Sequence, residues 1–121
     1  MILSLQRHVE RLTNYGPRVV GSYECDVQAV GYLETELNKL SKFNRKNGDK
    51  VRMEIDTQRV SGTFYLDRFN VYQKYENVTN VVVRLSKSDT SKTAEGRPAV
   101  LINCHFDSVA MGPGASDDAV R

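Results

Sequence analysis

The stretch from Val100 to Ser108, Val-Leu-Ile-Asn-Cys-His-Phe-Asp-Ser, constrains the fold of this chain more than any other. An apolar, β-branched run this short reads as a strand from a sheet interior. It ends by delivering a histidine and a carboxylate two residues apart. After a short loop, Pro113-Gly114-Ala115-Ser116-Asp117-Asp118 delivers two adjacent carboxylates. Imidazole and carboxylate donors in this order are ligand chemistry for a divalent metal.

If Ala99 to Cys104 is a buried strand, side chains alternate between its faces. His105 and Asp107 then project to one side at the C-terminal mouth and Cys104 points away. In open α/β sheets that mouth is where ligands bind. His105 would coordinate metal through one ring nitrogen. Asp107 can accept a hydrogen bond from the other, which fixes the tautomer and raises the basicity of the ring. One carboxylate of the Asp117-Asp118 pair can bridge two metals about 3.5–4 Å apart. A plainer role is open to that pair, since acidic residues also cap and charge-stabilise helix N-termini. Capping alone does not require two of them beside a His-x-Asp. Ser108 and Ser116 are poor candidates for a nucleophile, because no G-x-S-x-G elbow surrounds them.

The rest of the chain predicts two helices followed by strands. Ile2, Leu5, Val9 and Leu12 recur at helical spacing until Asn14, Gly16 and Pro17 end the pattern. His8 falls on the polar side with Arg7 and Glu10 and is expected to be solvated. Ser22 is a candidate N-cap for a second helix to about Leu40, with Val27, Val30, Tyr32 or Leu33, Leu37 and Leu40 inward. Asn47-Gly48 is a turn signal. Val51, Met53 and Ile55 alternate with charged residues as in a half-buried strand, and Ser61-Gly62 allows a turn into a partner strand from Thr63 to Leu66. Asn80 to Leu85 reads as an interior strand that forms a hairpin with Ala99 to Cys104. The expected class is α/β, with N-terminal helices on one face of a mixed sheet and residues 1–121 forming a single unit.

The string from His105 to Val120, HFDSVAMGPGASDDAV, resembles the first half of the metal site of the M28 family of zinc aminopeptidases, within it most nearly the endoplasmic reticulum metallopeptidase subgroup. Tyr15 to Ser22 and Tyr75 to Val83 also resemble that subgroup. The resemblance implies the N-terminal part of a zinc-exopeptidase α/β/α domain of the phosphorylase/hydrolase-like type. It implies His105 as ligand of one zinc, Asp107 as the catalytic carboxylate that orients it, Asp117 as the bridge between two zincs, and Asp118 joined to Asp117 by a cis peptide. The family's Glu-Glu pair, with its general base, is not in the sequence. The chain therefore reads as the N-terminal part of such a domain, ending after the first half of the metal site, and is expected to be inactive alone. The implied activity is hydrolysis of peptide or protein substrates at the N-terminus. Two other readings remain: a non-catalytic, peptidase-like interaction module of the endoplasmic reticulum, and another hydrolase on the same scaffold, carboxypeptidase-like or glutaminyl-cyclase-like.

Composition narrows the partners. A net charge of +2, with no basic run interleaved with aromatics, gives no footing for nucleic acid. Residues 1–5 are too short an apolar stretch for a signal peptide, and no run of about 20 apolar residues could span a bilayer. No membrane contact is expected of this chain, while the resemblance implies a membrane-anchored parent with a lumenal domain. Asn77-Val78-Thr79 is a glycosylation acceptor and suits that setting. Cys25 and Cys104 are read as buried thiols, with a disulfide between them left open.

Overall fold

A computed structural model describes residues 2–48, 51–87 and 98–115. Helix α1 spans Ile2–Thr13. Its end is made by the backbone: Asn14 N–H donates to Glu10 O at 3.0 Å and Gly16 N–H to Thr13 O at 2.9 Å, with Gly16 at φ +81°. That left-handed turn is open to glycine at no steric cost and closes the helix. Pro17 follows and prevents continuation.

Ser22 opens the second helix as expected. Its Oγ accepts from Cys25 N–H at 3.2 Å and its carbonyl from Asp26 N–H at 2.9 Å. A π-helical turn, Glu24–Ala29, runs directly into α2, Val30–Lys46. The helix is longer than the apolar spacing suggested, because Lys42, Arg45 and Lys46 are good helix formers and place cations at the negative end of the dipole. Cys25, Ala29 and Val30 are buried, whereas Val27 and Leu40, expected inward, are exposed. His8 also differs from expectation. It is half-buried, with Nδ1 at 2.6 Å from Tyr32 Oη on α2, so its ring helps to join the two helices.

Strands β1, Val51–Leu66, and β2, Val71–Lys87, pair antiparallel from Val51↔Lys87 to Leu66↔Val71. Their connection is the tight turn Asp67–Phe69 with Asn70 at φ +52°. Ser61-Gly62, read from the sequence as a turn, is instead a bulge. The register shifts between Val60↔Val78 and Gly62↔Tyr75, Asn77 sits at φ +53°, and its N–H donates to Ser61 Oγ at 2.9 Å. A Cβ on Gly62 would run into the Tyr75 ring, which lies across it. The α/β class holds, with helix α2 reaching the ribbon through Thr57 Oγ1 donating to Glu34 Oε1 at 2.7 Å.

The sheet is two-stranded and antiparallel among the described residues, not mixed. β2 takes β1 as its partner, and among the described residues Ala99 to Cys104 pairs with no strand. Val100, Leu101 and Ile102 are 90, 89 and 87% exposed. The physical reason is that a β-branched run becomes an interior strand only between neighbours and under a covering layer. The chain exposes 9950 Å², against roughly 6600 Å² for a compact monomer of its mass.

Candidate metal centre

Among the described residues an enclosed junction forms where three segments meet: the connection after α1, the start of the second helix, and the loop from Phe106 to Gly114. Arg18 lies at its centre, 2% exposed. Its Nε donates to Phe106 O at 2.8 Å, and Nη1 to Leu12 O at 2.9 Å, Pro113 O at 2.9 Å and Gly16 O at 3.2 Å. Its backbone N–H donates to Ser108 Oγ at 2.8 Å, and Ser108 N–H donates to Arg18 O at 2.9 Å. Ser108 is thus a structural partner of the junction. Gly114, at φ +60°, packs so closely that a Cβ there would stand 2.9 Å from Ser108 Cβ. The loop turns back at Val109–Gly112, where Gly112 N–H donates to Val109 O at 3.3 Å. One guanidinium therefore grips both the outgoing chain at Phe106 and the returning chain at Pro113.

His105 and Asp107 flank that gripped carbonyl. His105 Nδ1 lies 3.0 Å from the Asp107 carbonyl oxygen and 3.3 Å from carboxylate Oδ1. Both neighbours are acceptors, so Nδ1 carries the proton, and Nε2 is the basic nitrogen of the neutral ring. The side chains are 45 and 41% exposed, within reach of an ion from solvent. An imidazole held in this tautomer beside a carboxylate is a donor set that zinc accepts. Among the described residues no three His, Cys, Asp or Glu side chains converge as a metal cluster. Asp117 and Asp118, with their peptide bond, and Ser116 lie outside the described residues.

A cleft of about 230 Å³ adjoins the pair, lined by Val20, Cys25, Asp26, Thr79, His105 and Asp107 among others. Thr79 Oγ1 is buried on its edge with no hydrogen-bond partner among the described residues. Burial, and then the charges of Asp26 and Asp107, push the Cys25 thiol up to about 11, so it is neutral at physiological pH. Cys104 is a free, exposed thiol that lines the same cleft. The expectation of a buried Cys104 fails because the segment that carries it has no neighbouring strand or covering layer among the described residues. Asn77 is exposed at the bulge, with Thr79 of the same triplet buried. Arg18 itself was not singled out from the sequence. The only signal was an arginine set among Gly16, Pro17, Val19 and Val20, where a solvated charge is out of place.

Residues 80–121 match the sequence model of Peptidase family M28. Over most of its length it is similar to endoplasmic reticulum metallopeptidase 1 of Rattus norvegicus, 42% identical over 93% of this chain, and of Homo sapiens, 40% identical over 98%. A vacuolar membrane protease of Phaeosphaeria nodorum is 33% identical over 74% of the chain. The chain spans about 12% of the length of the rat and human relatives. No solved structure matches it significantly. Among the described residues no helix is long and apolar enough to cross a membrane.

Proposed function

We propose that this chain supplies the first ligands of the dinuclear zinc centre of an aminopeptidase-type metallopeptidase, acting on peptide or protein substrates at the lumenal side of the endoplasmic reticulum membrane. The observation that carries the reading is the His105–Asp107 pair. With Nδ1 hydrogen-bonded to the Asp107 carbonyl, the ring meets a metal through Nε2, and the negative charge of the carboxylate 3.3 Å from Nδ1 makes the ring a better donor. Asp117 provides the bridging carboxylate and Asp118 supports it from the next position. Zinc, when bound, brings the pKa of a coordinated water towards neutrality and polarises a peptide carbonyl. The residues of this chain hold and orient. The proton-accepting glutamate is no part of this segment. Two relatives named as metallopeptidases and one as a protease support a catalytic parent over a non-catalytic module.

The test is a zinc titration of the isotopically labelled chain, followed by the imidazole signals of His105 in NMR spectra. Weak, saturable binding is expected, and His105→Ala abolishes it. Asp107→Asn and Asp117→Asn each weaken it about tenfold or more. Asn caps helices about as well as Asp, so Asp117→Asn leaves metal-free melting unchanged. Parent-level affinity in both Asn variants would reduce Asp117 to a cap and overturn the reading.

A further inference from the structure

We propose that Arg18 is a positioning residue of the candidate metal centre: it holds the Phe106–Pro113 loop on the N-terminal connection and thereby sets where His105 and Asp107 stand. The inference rests on the functional reading above and adds a residue that the metal motif does not contain.

The argument begins with what this guanidinium touches. Four of its contacts are carbonyl oxygens, from Leu12, Gly16, Phe106 and Pro113. No carboxylate among the described residues pairs with it directly. A charge that is 2% exposed must be compensated or it destabilises the fold. Here the compensation comes from carbonyl dipoles, with the Asp107 charge acting at longer range. A planar fork of five donors can span carbonyls on opposite sides of it, which a lysine ammonium cannot.

Location gives the contacts their consequence. Phe106 is the residue between the candidate ligand and its partner carboxylate, so the Nε bond fixes the orientation of the peptide that joins them. Ser108 is held on both its N–H and its Oγ by the Arg18 backbone, immediately after Asp107. The bond to Pro113 O fixes the returning chain three residues ahead of Ser116 and the acidic pair. An exposed histidine on an unpaired segment would otherwise sample many orientations. A ligand must be held to within about 0.5 Å of its working position for tight coordination.

A clamp with no bearing on metal would serve the fold alone, so the test separates the two roles. Amide hydrogen exchange at Ser108 reports release of the loop, and zinc titration of the His105 imidazole reports the site. Both are measured on the chain with Arg18→Met, Arg18→Lys and, as an exposed control on α1, Arg11→Met. Arg18→Met is expected to speed exchange at Ser108 at least tenfold and weaken zinc at least fivefold. Arg18→Lys falls between it and the parent on both readings, and Arg11→Met matches the parent. Should Arg18→Met fail to fold by circular dichroism, Arg18→Lys carries the comparison. Faster exchange with parent-level zinc affinity overturns the proposal, leaving a purely structural clamp, and so does a parent-level result on both. A parent chain that binds no zinc at all defeats the metal reading itself and the positioning role with it, an outcome recognisable because it appears before any variant is made.

Discussion

The Arg18 junction and the β1–β2 ribbon are held together in opposite ways. At the junction, two stretches of chain about ninety residues apart meet on one buried side chain, and the backbone of Arg18 adds two more bonds to Ser108. The ribbon is longer and carries more apolar side chains, yet Phe64, Tyr65, Tyr72, Val82 and Leu85 are exposed along it. Its order comes from its own ladder, and a two-stranded ribbon alone is marginal in water. Enclosure here follows the polar contacts and not the hydrophobic count. His105 and Asp107 lie on the clamped side of that divide.

Two glycines test the contrast most sharply. At Gly114 an added Cβ would meet Ser108, which is fixed from both sides, and the residue would have to hold φ +60°. Gly114→Ala is expected to cost about 2 kcal/mol in urea unfolding. At Gly62 the obstacle is the Tyr75 ring, the far end of a side chain that can swing into solvent. Gly62→Ala is expected to change stability by less than about 0.5 kcal/mol. Equal costs at the two positions would erase the distinction between a fixed junction and a yielding ribbon.

A pH series probes the junction next. The Cys25 thiol is raised from its usual 9.0 to about 11 in the folded chain, chiefly by burial and then by Asp26 and Asp107. Below pH 9 both folded and unfolded chains keep the proton, so the contribution of this group is fully present. Between pH 9 and 11 the unfolded chain ionises first, and stability falls by up to about 2 kcal/mol. Cys25→Ala should be less stable at neutral pH for want of packing, but with a visibly flatter decline across that window. An unchanged slope in Cys25→Ala would mean that the thiol is solvated in both states and the junction looser than its hydrogen bonds indicate.

What the sequence disclosed, and what it hid, follows the same divide between local and distant causes. Helix α1, the Ser22 cap and the first half of β1 were legible because each is written in neighbouring residues, as spacing, a cap or alternation. The hairpin partner was not. Ser61-Gly62 has the composition of a turn, but the two strands run past it with a register shift that makes it a bulge, while the real turn at Asp67–Asn70 carries no glycine. The proximity of His105 and Asp107 could be read from a two-residue spacing. Arg18 could not, because its partners are backbone carbonyls up to 95 residues away and leave no side-chain signature.

The smallest stability effect is expected where the sequence looked most buried. Val100, Leu101 and Ile102 have the composition of an interior strand but stand almost wholly in solvent. A side chain already exposed in the folded state gains little from burial, so Ile102→Thr should change the unfolding free energy measured in urea by less than about 0.5 kcal/mol. Removing a buried isoleucine of this size would instead cost about 2 kcal/mol or more. The same substitution should lower self-association measured by light scattering, since a contiguous apolar run in solvent is a contact surface for other chains. A loss of about 2 kcal/mol in Ile102→Thr would place this run inside a core. The segment that delivers His105 would then be held by packing along its length, and Arg18 would no longer be its main anchor.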